Sequence, residues 1–200
     1  MKMKTWLYNP FEYVAGWKAL LTGLAGMAAA TYVGTLNHTH FDGVLDVHTG
    51  MQTKAALHYL ESLVSWLFPA LLFYIAGRIF SSSAIRAVDV FGTMALARLP
   101  LMLTVFVGFI PAMQEMASLE VSSVKEATAR LMELLPWLLP AILLLVVAEI
   151  WTVTLLYHAY RVSCNVKGQR GVVSFVAVLL LAEIFSKVSI YALYRWMQGA

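Results

Sequence analysis

Polar residues in this chain come in short clusters separated by long apolar runs. Five runs stand out, covering about residues 14–36, 59–80, 90–113, 136–161 and 172–197. A bilayer core takes roughly 20 apolar residues in helical form. In lipid every backbone N–H and C=O must be paired inside the segment, which leaves the helix as the natural state of such runs. The pattern therefore predicts an all-α, polytopic membrane protein with a bundle of five transmembrane helices, read as a single membrane domain over residues 1–200. The third run is the least regular, because Arg98 and Pro100 interrupt it. Asn9-Pro10 places a capping residue before a proline at the first helical position. Ser123-Val-Lys-Glu126 is a capping box, and Val124, Ala127, Leu131 and Leu134 after it fall on one helical face. That segment predicts a short interfacial helix in the third loop, ending before Pro136.

Composition supports the same picture. Hydrophobic residues make up 60% of the chain and charged residues 12%, with a mean hydropathy of +0.75. Soluble domains carry roughly 25% charged residues, so most of this surface is suited to lipid. The net charge of +3 is small and the basic residues are scattered, which excludes the concentrated basic patch of a nucleic-acid binder. One cysteine, Cys164, permits neither an internal disulfide nor a cysteine-rich metal site. It stands in a basic link, where lipidation is one reading. Lys2 and Lys4 could begin a signal peptide, but Pro10 and Glu12 interrupt the apolar stretch that should follow, so the first run is expected to be retained.

Lys and Arg then orient the runs. Lys2 and Lys4, then Arg78 and Arg86, then Arg161, Lys167 and Arg170 fall on one side if five helices alternate. The first loop, with Asp42, Asp46 and Lys54, and the third, with Glu115, Glu120, Glu126 and Glu133 against Lys125 and Arg130, fall on the other. This alternation predicts a bacterial inner-membrane protein with its N-terminus in the cytoplasm and its C-terminus outside.

Several residues inside the runs carry chemistry. Gly16, Ala19, Gly23, Gly26, Ala30 and Gly34 recur at steps of three or four and form a small-residue ridge for close helix packing. Arg98, Glu149, Glu183 and Lys187 are ionisable groups within apolar runs, which must face the bundle interior and find partners. Glu183 and Lys187 have the spacing of a helical ion pair, and Arg98 is the natural partner for Glu149. The stretch from Leu145 to Thr152 echoes that from Leu179 to Ser186, with Glu149 matching Glu183. Two readings follow: a structural ion-pair network, or a small-cation or proton transport site built on an inverted repeat.

The first loop concentrates His38, His40, Asp42, Asp46 and His48. His38, His40 and Asp42 alternate, so an extended chain puts them on one face, and Asp42-Gly43 signals a turn. Imidazoles and carboxylates at this density can hold a divalent cation such as zinc or sense pH. The other reading is an interfacial loop whose Phe41, Val44, Leu45 and Val47 dip toward the headgroups. The chain lacks the His-Glu-x-x-His, Gly-x-Ser-x-Gly and phosphate-binding glycine motifs, so an enzyme is not expected.

Asn9-Pro-Phe, Ala76-Gly-Arg-Ile-Phe80, the stretch from Ala87 to Pro100, and Trp151 to Tyr157 with its following basic link resemble the Yip1 domain family. The resemblance implies five spans, a cytoplasmic N-terminus and an outward C-terminus. Eukaryotic members act in vesicle traffic and engage Rab GTPases through a longer N-terminal region and an Asp-Leu-Tyr-Gly-Pro type motif. Here only Tyr8-Asn-Pro-Phe stands near that place, so the chain resembles the short prokaryotic members and Rab binding is not implied. The implied role is a non-enzymatic membrane scaffold or adaptor. Its expected partners are the lipid bilayer, other membrane proteins or further copies of the chain, and no nucleic acid.

Overall fold

The computed structural model describes residues 3–50, 52–119 and 123–199. Lys2 and Glu120, which enter the charge pattern, lie outside them. A short helix α1 (Met3–Tyr8) and a 3-10 turn (Pro10–Glu12) lead into α2 (Gly16–Asn37). A two-stranded hairpin follows, β1 (Thr39–His40) and β2 (His48–Thr49), and then α3 (Ala55–Phe80). The third span is broken into α4 (Ala87–Ala97), α5 (Leu99–Met102) and a 3-10 segment (Leu103–Phe109). Helices α6 (Pro111–Ala117), α7 (Val124–Ser163) and α8 (Gly168–Gly199) complete the chain. Five segments, Gly16–Asn37, Ala55–Phe80, Ala87–Phe109, Val124–Ser163 and Gly168–Met197, are long and apolar enough to cross a bilayer. The chain is an all-α polytopic membrane protein.

The irregular third span is the centre of the bundle. In its most apolar stretch 72% of residues are buried, against 17% for the fourth span. It packs most extensively on α2, and the small-residue ridge explains how. Gly16, Ala19, Gly23 and Gly34 are all buried. A Cβ on Gly23 would lie 2.6 Å from the backbone of Ala95, and one on Gly92 would lie 2.6 Å from the carbonyl of Gly16. Only glycine lets these two backbones approach so closely. The break in the span follows from Pro100, which enters α5 in its first turn and has no N–H to donate to α4. The 3-10 segment ends at Ile110, whose extended backbone is what the following Pro111 requires.

Ser123 caps the helix as expected: its hydroxyl accepts from the Glu126 amide at 3.3 Å. The helix it starts does not stop before Pro136. It runs unbroken for 40 residues, through Pro136 and Pro140, or about 60 Å at helical rise. The expected short helix is thus the first turns of α7. Packing overrides the proline, because Leu134 and Leu138, one on each side of Pro136, bury together against Ala112 of α6. Arg130 adds ion pairs to Glu115 on α6 and to Glu133. Helix α1 is tied to α7 by the Trp151 indole, which donates to the Leu7 carbonyl at 2.7 Å.

Helix α8 packs chiefly on α3, while α7 packs on α4 and α5. The two helices whose sequences echo one another therefore belong to different contacts and do not form the polar heart of the bundle. Between them, Cys164 is fully buried, with its thiol toward the Phe73 carbonyl. Burial pushes that thiol up to about 12 and shields it from the surface where lipidation would occur.

Candidate functional site

The polar centre of the molecule is the hairpin between α2 and α3. Helix α2 stops at His38, whose backbone is left-handed (φ 56°) and whose N–H returns to the Gly34 carbonyl. The Asn37 side chain donates to the Val105 carbonyl at 2.7 Å. Together these turn the chain back over the bundle. Thr39 pairs with Thr49 and His40 with His48. The hairpin does not lie flat at an interface: Phe41 and Val44 are 1% and 0% exposed. Its tip is a plug seated between α3, α8 and Arg98 at the junction of α4 and α5.

Two intramembrane charges hold that plug. Arg98, completely buried, donates to the carbonyls of Val44 (2.7 Å), Ser65 (2.9 Å) and Gly43 (3.3 Å) and to the Ser65 hydroxyl (3.1 Å). Glu183 accepts the amide of Leu45 at 3.1 Å. A cation thus takes the carbonyls of the tip and a carboxylate takes its N–H. Backbone groups that would otherwise be orphaned in an apolar setting are satisfied. Glu183, rather than Glu149, is the carboxylate whose field reaches Arg98.

Lys187 does not close on Glu183 but forms an ion pair with Asp46 on the hairpin. Glu149 is exposed on α7, among Val146, Val147 and Ile150. Arg98 does not reach it, and Glu149 and Glu183 lie on different surfaces.

Beneath β1 lies the second part of the site. His40 Nδ1 donates to Glu61 Oε2 at 2.9 Å, and the Tyr194 hydroxyl donates to the other oxygen of the same carboxylate. His58 Nδ1 donates to the Thr39 carbonyl at 3.0 Å. His40 stacks between two other imidazoles, with ring centres 4.0 Å from His58 and 5.0 Å from His48. His40, His58 and Glu61 are all buried, and each offers a donor atom within 4.8 Å of the others.

Of the loop residues singled out in the sequence, only His40 enters this group. His48 pairs instead with Asp42 at 3.2 Å. That hydrogen bond raises His48 above the ordinary histidine range against the pull of burial. Burial alone would raise Asp42, but the bond and charge of His48 together with Lys187 hold it below the ordinary carboxylate range. Asp46 is occupied by Lys187, and His38 caps α2. His58, Glu61 and Tyr194 come from elsewhere in the chain. His58 and Glu61 stand three apart, hence on one face of α3, and that spacing is the signal that points to them.

A family profile for the Yip1 domain matches residues 1–190. The chain belongs to the Yip1 family. No curated protein and no solved structure matches it significantly. The Yip1 match spans every element of the site, from α2 and the hairpin to Glu183 and Lys187, but Tyr194 falls just beyond it.

Proposed function

We propose that this Yip1-family protein is a non-enzymatic scaffold or adaptor of the bacterial inner membrane, a single membrane domain with its N-terminus in the cytoplasm and its hairpin and C-terminus outside. It works by presenting α7 to a helix of another membrane protein. One observation carries this reading: Glu149, near the middle of the predicted stretch 136–161, is exposed on the least buried of the five spans. An ionised carboxylate facing lipid at mid-depth costs roughly 2.5–3.5 kcal/mol on insertion scales, and a partner helix offering a hydrogen-bond donor relieves that cost. An apolar groove of about 330 Å³ lies beside it, lined by Leu103, Phe106, Leu144, Ala148 and Trp151. Arg98 and Glu183, by contrast, are committed to the hairpin backbone, which argues for structure over transport at those residues.

The test is photo-crosslinking in native membranes from probes at Val146 and Ile150 on α7, with a probe at Leu21 on α2 as the reference. The scaffold reading expects discrete protein adducts from α7 that fade in Glu149→Leu, and lipid adducts from Leu21. Lipid adducts alone from α7 would overturn it. So would proton or cation flux in proteoliposomes that disappears in Glu149→Gln.

A further inference from the structure

The cluster under the hairpin has a property that a scaffold does not require. We propose that His40, His58 and Glu61 bind one divalent transition-metal ion of the zinc class, and that this ion clamps the hairpin to α3. The inference stands independently of the scaffold reading.

The donor set suits such an ion. Two imidazoles and one carboxylate suit zinc and its first-row neighbours, whereas magnesium and calcium take shells of oxygen ligands. All three side chains are buried, so the ion would sit away from bulk water, as tight sites do.

The spacing of the donors suits a single ion. The donor atoms lie within 4.8 Å of one another. Ligands at about 2.0–2.2 Å from a tetrahedral centre stand about 3.4 Å apart, so closure needs only modest side-chain movement, in which the metal replaces the His40–Glu61 hydrogen bond and the Nδ1 proton moves to Nε2 or is released to solvent.

His58 is also held in a tautomer that suits a metal. A carbonyl only accepts, so the 3.0 Å bond to Thr39 fixes the hydrogen on Nδ1. That leaves Nε2 with the lone pair a metal needs, and it is the outer-sphere arrangement that metal-bound histidines use. The carbonyl that sets the tautomer belongs to β1, so metal and hairpin are mechanically linked.

The cluster lies close to an opening on the surface. A groove of about 540 Å³, bordered by Asp42, His48, Lys187, Ile190, Tyr191 and Tyr194, lies beside the cluster. Tyr194 borders it and also donates to Glu61. The groove gives an ion an approach as far as Tyr194 and His48, which contact Glu61 and His40 of the cluster.

The experiment is calorimetry on the full chain in detergent after chelator treatment, titrated with zinc chloride and, separately, with magnesium chloride. The expected result is one zinc per chain and no comparable magnesium binding. His58→Gln and Glu61→Gln should weaken zinc by more than about 100-fold, since even outer partners cost about 10–100-fold. Glu149→Gln, on the exposed face of α7 away from the hairpin, should leave it unchanged. A wild-type chain that binds no stoichiometric zinc overturns the proposal, as does zinc binding that survives both ligand variants. X-ray absorption on the wild-type zinc complex guards against misfolded variants. Two imidazoles with oxygen ligands are expected, and an all-oxygen shell would equally overturn the assignment.

Discussion

An arginine inside an apolar run needs either water or a full set of acceptors. Arg98 finds acceptors for both terminal nitrogens in the backbone of the hairpin and in Ser65, while its buried Nε has none. That Arg98 must face inward was legible from the sequence. Its partners were not, because a carbonyl belongs to every residue type and leaves no trace in composition. Carboxylates do leave a trace, and Glu149 drew attention for that reason, yet it faces outward. Leaving a buried acceptor unpaired costs about 1–3 kcal/mol. Arg98→Ala strands several carbonyls at once and should therefore destabilise the protein by at least about that amount in thermal unfolding in detergent micelles. Arg98→Lys should recover only part of it, because an ammonium cannot reproduce the guanidinium fork. Native-like melting of Arg98→Ala would show that the hairpin does not depend on this anchor.

At the scale of elements, the ridge on α2 was readable because close packing in lipid demands small residues at helical spacing. What the ridge packs on was not, since α4 carries the break that made its run look weak. The same residues, Arg98 and Pro100, that interrupt the run place it at the centre of the bundle. Gly23 gives the sharpest test of that contact. Alanine is the better helix former by roughly 1 kcal/mol, so propensity alone favours Gly23→Ala. The 2.6 Å approach to the Ala95 backbone opposes it, and overpacking of this kind costs about 1–3 kcal/mol. Net destabilisation is expected in chemical or thermal denaturation. A stabilised Gly23→Ala would mean that the helices do not meet at this distance. Helix α7 teaches the converse lesson. Pro136 is a sound stop signal locally, but the burial of Leu134 and Leu138 on α6 carries the helix through it.

At the scale of the whole molecule, five spans and membership of the Yip1 family were both within reach of the sequence, because lipid constrains length and polarity so strongly. The site was legible only in part. Its histidine-rich loop was visible, but its position was not: Phe41 and Val44 are as consistent with dipping into headgroups as with plugging a bundle. His58 and Glu61 straddle the start of the apolar run at 59–80, away from the histidine-rich loop. The account rests on that plug, held by Arg98 and Glu183 and closed over His40, His58 and Glu61. Hydrogen exchange of the hairpin amides, with the protein in lipid nanodiscs, tests it most directly. If the plug is seated, the amide of Leu45, bonded to Glu183, and those of its neighbours in the tip exchange as slowly as the end of α2, and Arg98→Ala speeds them. Exchange of the wild-type tip at the rate of a free surface loop would contradict the account.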